Sequence, residues 1–165
     1  MAKVIPSAPA EPALYEQDFA LWAERQGALL RARHFDQLDL DNLIEEVEDL
    51  GRRERDAMES LVETTLEHLL KLAWSKADRP RLGWLETVDN QRAKLARKLT
   101  TTLRNHVEGE LPALYAGLRR PLGRELAKDN PSRAALPPSC PYTLDQILDP
   151  DWYPNNVHGL KDPTP

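Results

Sequence analysis

Apolar side chains recur every three or four residues along most of the chain, which is the spacing of one face of an α-helix. The clearest stretch runs from Leu40 to Ser75, which contains no proline and a single glycine, Gly51. It predicts either one long helix or two helices that meet at Gly51. The apolar set widens beyond Glu63, so we expect that end to lie in the middle of a bundle. The stripe comprises Leu43, Val47, Leu50, Met58, Leu61, Thr65, Leu69 and Leu72.

Shorter periodic stretches predict further helices on either side of the central one. The first covers about 14–33, and a short connection leads from it to Asp39, a suitable N-cap for the central helix. A third helix is expected to begin near Trp84. A fourth is expected near Pro112, because proline suits the first turn of a helix, with Pro121 kinking or splitting it.

Prolines separate the helical body from its ends. Of 14 prolines, three lie within the first twelve residues and eight lie from Pro131 onward. We call the proline-rich end of the domain, from Pro131 onward, the C-terminal strap. Within it, Thr143 and Gln146 have the spacing of a capping box and predict a short helix over 144–148. The chain is therefore expected to have three parts: a disordered arm over 1–12, a single helical domain over 13–154 and a flexible tail over 155–165.

The aliphatic composition favours helices over strands. The chain has 27 Leu but only 6 Val and 3 Ile. Leucine loses little side-chain freedom in a helix, whereas branched residues pack well on pleated sheets. The predicted fold class is all-α: a bundle of about four to five helices with a long central helix and a C-terminal strap.

Bulk properties exclude several classes of protein. No apolar run approaches the ~20 residues that span a bilayer, and the first residues lack the pattern of a secretion signal. One cysteine, Cys140, cannot form an internal disulfide, so we expect a cytoplasmic protein. The net charge of −5 argues against a general nucleic-acid binder. We expect no cofactor.

The net charge conceals an asymmetry along the chain. From Asp36 to Glu67 there are twelve acidic and three basic residues, whereas from His68 to Arg133 there are fourteen basic and seven acidic ones. Either these segments lie side by side and neutralise each other, or the second forms a basic face for phosphate or an acidic partner.

Several polar residues interrupt the apolar pattern at positions that would face each other if the second and third helices formed an antiparallel hairpin. Three of them are cationic and need an acid nearby, because an unpaired buried charge is very costly. Glu67 is expected to point elsewhere, so acids before Gly51 would have to fold back. The candidate polar cluster comprises His68, Lys71, Gln91 and Arg92, with Asp39, Glu45 and Glu46 among the candidate acids.

This cluster admits two interpretations. It is either a hydrogen-bonded network that sets helix register, or an anion pocket or general acid/base site around His68. A dedicated metal site is not expected, because the Glu-x-x-His pattern of di-iron bundles would need Glu where residue 65 is Thr. Nucleophile and phosphate-loop motifs are missing from the sequence.

Short motifs spread over residues 14–154 are specific in combination. They are Tyr15-x-x-Asp18-Phe19-x-x-Trp22, Leu30-Arg31, Leu38-Asp39-Leu40-x-Asn42-Leu43-x-Glu45-Glu46, His68-Leu69-Leu70-Lys71, Trp84, Gln91-Arg92 and Cys140-Pro141-Tyr142, with Leu148-Asp149 and Pro154. In these motifs the chain resembles the bacterial domain-of-unknown-function family 29. The resemblance implies an all-helical domain without an established function, and it supplies no catalytic residues.

Three functional hypotheses remain open at this point. The leading one is a non-enzymatic binding or interaction module, with a protein partner or as a homo-oligomer. The second is an enzyme or toxin–antitoxin-type component with His68 as acid/base and Arg92 or Lys71 stabilising negative charge. The third is nucleic-acid contact through the basic segment 92–124.

Overall fold

The computed structural model describes residues 11–129 and 136–161, and the side chains of 14–128 and 136–161 within them. These residues form six α-helices and one short 3-10 turn, with no strand among them. The all-α prediction is therefore confirmed. Contacts divide the chain into two compact units, Met1–Arg53 and Glu54–Pro165. No described helix combines the length and the apolar character needed to cross a bilayer.

The first unit begins with two helices where we expected one. Asp18 separates them, and its carboxylate accepts a hydrogen bond from the Leu21 N–H at 3.0 Å. A side-chain oxygen at this position satisfies an N–H that the first helical turn leaves free, so Asp18 starts a new helix inside the predicted range 14–33. The elements are α1 (Glu11–Gln17), α2 (Phe19–Ala32) and a 3-10 turn (Phe35–Gln37).

The long helix α3 (Leu40–Trp74) begins in the first unit and ends in the second. It starts directly after Asp39, as predicted. It also continues through Gly51, which answers the question of one helix or two. A glycine in a helix interior costs only about 1 kcal/mol relative to alanine, which a helix of this length tolerates.

The second unit is built around the later half of α3, which packs against α4 (Arg81–Lys98) and α5 (Thr101–Asp129). Side chains from these helices and from α6 (Leu144–Leu148) share one hydrophobic core. Its fully buried members from α3 to α5 are Met58, Val62, Leu66, Leu69, Leu70, Leu72, Val88, Leu95 and Val107.

Two predicted helix starts in this unit were wrong. α4 begins at Arg81 rather than near Trp84, and α5 begins at Thr101 rather than near Pro112. Pro112 and Pro121 both lie inside α5, although each removes a backbone N–H. The helix persists because one of its faces is anchored in the core along its length, through Val107, Leu111, Tyr115, Leu118, Leu122 and Leu126.

The C-terminal strap is part of the second unit and reaches the end of α3. Its short helix α6 has the predicted bounds and the predicted capping box between Thr143 and Gln146. Within the predicted tail over 155–165, the Asn156 amide donates to the carbonyl oxygens of Leu72 and Ser75 at 2.7 and 2.9 Å. The flexibility of the tail stays a prediction. The predicted arm up to residue 10, and residues 130–135 and 162–165, lie outside the described residues.

Candidate functional site

His68 and Lys71 lie one turn apart on α3, and each has a partner of its own. The His68 ring, through Nδ1, is 2.8 Å from the carbonyl oxygen of Thr64 on the same helix. Lys71 Nζ pairs with Glu67 at 2.7 Å and with Glu125 of α5 at 3.1 Å. The expectation that Glu67 points elsewhere was wrong, because residues four apart on a helix are neighbours. The acid required by Lys71 thus comes from its own helix and from α5.

These two carboxylates also hold the charge on Lys71. Burial disfavours an ammonium group, but the hydrogen bonds to Glu67 and Glu125 outweigh it, so the pKa of Lys71 is raised above its usual value. The Lys71 side chain is therefore positively charged and paired with both carboxylates. The pair with Glu125 links α5 to α3.

Arg92 is buried in α4 and holds the strap. Its Nε donates to the carbonyl oxygen of Ile147 at 2.9 Å, and its Nη2 donates to those of Gln146 and Trp152 at 3.1 and 2.9 Å. The guanidinium also lies 4.8 Å from the centre of the Tyr153 ring. Burial lowers the pKa of Arg92, against the opposing influence of Tyr153 and nearby acids.

A cavity of about 420 Å³ opens beside this arrangement. Its polar lining consists of Asp89, Arg92 and Tyr153, and the Tyr153 hydroxyl donates to Asp89. Burial and that hydrogen bond raise the pKa of Tyr153 to about 12. The polar groups of this cavity are therefore engaged with each other or with the strap, apart from the buried Nη1 of Arg92, which has no hydrogen-bond partner.

Gln91, the fourth predicted residue, accepts a hydrogen bond from Lys94 at 3.3 Å on the surface of α4. The described hydrogen bonds of the four residues thus run to different places: along α3, to α5, to the strap and along α4. A shared role for them as an anion or acid/base site stays a prediction.

Asp39 and Glu46 belong to a network in the first unit. The Trp22 indole N–H and the Asn42 amide both donate to one oxygen of Asp39, at 3.0 and 2.7 Å, and the Asp39 N–H donates to Gln26. These bonds fasten α2 to the start of α3. Because Trp22 and Gln26 are buried, the network replaces water around their polar groups.

A second tie links α1 to α3. The Tyr15 hydroxyl donates to Glu46 at 2.8 Å, and this hydrogen bond, aided by burial and nearby acids, raises the pKa of Tyr15 to about 12. Glu45, the neighbouring candidate, is exposed. The network and this tie join five of the residues that carried the family resemblance, and each of the five makes a contact within the first unit: Tyr15, Trp22, Asp39, Asn42 and Glu46.

Neither a metal site nor a reactive thiol emerges from the described residues. They contain no group of three or more His, Cys, Asp or Glu side chains that could hold a metal ion. Cys140 is half-buried, and its thiol donates to the carbonyl oxygen of Tyr142 at 3.3 Å. Burial raises the pKa of the Cys140 thiol, which makes it a poor nucleophile.

An exposed apolar face on the first part of α3 was missed from the sequence. Leu40, Ile44, Val47 and Leu50 follow one another at helical spacing, and they are 58%, 49%, 66% and 60% exposed. We call these four residues the α3 face. Farther along α3 most apolar residues of the same pattern are buried, beginning with Met58, and Leu61 is partly buried. The spacing was visible in the sequence, which predicted burial for the end beyond Glu63 but did not predict that the first part of the stripe is exposed.

Exposure of large apolar side chains is concentrated in the first unit. Eight of the ten exposed large hydrophobic residues in the described part of the chain lie there, and the other two are Leu82 and Val157. Scattered single apolar residues are normal on a protein surface, whereas a contiguous exposed group of them is uncommon. The α3 face is such a group.

Comparison with known proteins gives one match. The sequence matches the domain of unknown function DUF29 over residues 14–153, which is most of the chain. No curated protein and no solved structure matches it significantly. The match covers both units and includes the polar network of the first one. The chain therefore belongs to the DUF29 family.

Proposed function

We propose that this protein is a non-enzymatic interaction module and that it binds protein through the α3 face. The observation that carries the proposal is the exposure of Leu40, Ile44, Val47 and Leu50 on one side of a helix. Burying such a stripe against an apolar partner releases about 25 cal/mol for each Å² removed from water. An amphipathic helix face of this kind is a common docking surface for another helix.

The ties within the first unit leave the α3 face exposed. Tyr15 and Trp22 bond to Glu46 and Asp39, which lie about 100° around the helix from Val47 and Leu40, so only Leu50, one turn after Glu46, lies on the tied side. The helix is therefore held in place by α1 and α2 while its apolar side stays open. A preformed surface of this kind loses little conformational entropy on binding.

The polar residues support a binding role over catalysis. Lys71 pairs with Glu67 and Glu125, and Nε and Nη2 of Arg92 donate to carbonyl oxygens of the strap. An acid/base site needs groups that are free to reach a substrate. Apart from Nη1 of Arg92, the charged groups of these two residues are engaged within the protein, which supports binding over catalysis.

Site-specific photo-crosslinking tests this function. A photoreactive amino acid replaces Val47 in the full chain, which is produced in its native host and irradiated. A matched variant carries it at Glu45, an exposed polar position on the same helix. We expect adducts to an identified protein, including another copy of this chain, at position 47 and not at 45.

Adding Ile44→Glu to the position-47 variant should abolish the adduct, because it places a charge within the α3 face. If irradiation at position 47 yields no larger species than at position 45, the proposed function is wrong.

A further inference from the structure

We propose that the partner of the α3 face is the α3 face of a second copy of this chain, with the two helices antiparallel. This inference rests on the proposed function and names its partner. The argument uses the spacing of the apolar residues and the order of the charges along the same stretch of helix.

The apolar residues can pair with themselves about a two-fold axis. When Val47 of each copy lies near that axis, Ile44 of one copy is about level with Leu50 of the other. Ile44, Val47 and Leu50 then meet apolar side chains, as in the seam of a two-helix coil, and Leu40 lies at the end of the contact, level with Glu54. A two-fold axis makes the same patch serve both copies and closes the assembly at two chains.

The charges beside the α3 face change sign along the helix. Asp41 and Glu48 are exposed acids at its start, and Arg52 and Arg53 are exposed bases at its end. In the antiparallel pair Arg53 of one copy comes level with Asp41 of the other, and Arg52 lies one residue, about 1.5 Å along the axis, from that level. In a parallel pair, acid would meet acid and base would meet base. The charge order thus selects the antiparallel arrangement.

The two arginines are available for such pairing. Each pairs with Asp49 of its own helix, at 3.0 and 3.9 Å, while its side chain remains 60% or more exposed. Exposed pairs of this kind contribute little to stability, so they exchange readily for a new partner.

The first experiment measures mass against concentration for the full chain, by sedimentation or light scattering over a dilution series. We expect a reversible dimer. Val47→Glu should weaken dimerisation about 100-fold, because two carboxylates would be buried against each other at the axis. The control is Val157→Glu, which places the same charge at an exposed valine outside the α3 face and should leave the dimer unchanged.

The second experiment swaps charges to test the orientation. Asp41→Arg and Arg52→Asp should each weaken dimerisation about tenfold, because each creates two like-charge contacts across the axis. The double variant should recover most of the loss, because the pairs are restored with reversed sign. Recovery of dimerisation in the double variant supports the antiparallel pair. If the double variant loses as much affinity as the two single variants together, the antiparallel pair is wrong.

The outcomes separate the two proposals. A native chain that stays monomeric at all concentrations while position 47 crosslinks to a different protein overturns the second-copy proposal and leaves the interaction module intact. A monomer without any adduct overturns both. A dimer that Val47→Glu does not weaken also overturns the second-copy proposal, since its interface would then lie elsewhere.

Discussion

Arg92 Nε donates to the carbonyl oxygen of Ile147 at 2.9 Å, so a residue in the middle of α4 fixes the end of α6. With two more bonds from Nη2, one buried guanidinium satisfies three carbonyl oxygens of the strap. Hydrogen bonds from a charged donor are about twice as strong as neutral ones. The strap is therefore held by a specific clamp rather than by apolar contact alone.

Removing this clamp should destabilise the second unit substantially. Arg92→Ala leaves three carbonyl oxygens without their donor, and we expect the free energy of unfolding to fall by about 3 kcal/mol. Urea denaturation of the full chain gives this value. Gln91→Ala is the matched control, because the Gln91 contact with Lys94 is exposed, and it should change stability by less than about 0.5 kcal/mol. Equal losses for the two variants would contradict the clamp.

Substituting Gly51 by alanine should stabilise the protein. Gly51 is exposed in the interior of α3, where alanine lowers the entropy of the unfolded chain and favours helix. We expect a gain of up to about 1 kcal/mol, measured as a higher midpoint of thermal unfolding. A lower midpoint would show that α3 bends at this residue.

Substituting Gly159 by alanine should lower the midpoint of thermal unfolding. Gly159 has a φ of 76°, which alanine adopts only with strain.

The tyrosines should make the protein sensitive to alkali. The hydrogen bond to Glu46 raises the pKa of Tyr15 to about 12, and burial with the bond to Asp89 does the same for Tyr153. An unfolded tyrosine has a pKa of about 10. Since the folded pKa is the higher one, the stability from these groups is fully present below pH ~10 and is lost as the pH rises towards ~12.

Ultraviolet titration of the phenolate checks this prediction. The folded chain should ionise its tyrosines later than the chain in denaturant, and Tyr15→Phe should remove one late-titrating group. Folded and unfolded chains that titrate together near pH 10 would show that neither bond persists in solution.

The helical nature of the chain was readable from sequence because it depends on local properties. Leucine spacing, the Asp39 start and the capping box of Thr143 act within a few residues, and the long helix α3 and the short helix α6 that they predict are confirmed. The starts of α4 and α5 were harder to predict from sequence. Pro112 resembles a helix start locally, yet core contacts of its neighbours carry the helix past it.

The candidate site was only partly accessible from sequence. Periodicity marked His68, Lys71, Gln91 and Arg92 as polar residues in an apolar pattern, but it could not name their partners. Those of Arg92 lie more than fifty residues away on the strap. Burial of a charge is decided by which distant groups the fold brings to it, and spacing along one helix does not contain that information.

The sequence by itself determined an all-helical DUF29 chain with a long central helix and a capped terminal helix, because propensity, capping and periodicity are local. Only the tertiary structure decided which part of that helix is covered. Val47 and Met58 obey the same apolar pattern, yet Val47 is exposed and Met58 is fully buried. Periodicity shows that a helix has an apolar side, whereas packing against α4 and α5 determines where that side is already occupied and where it is open to a partner.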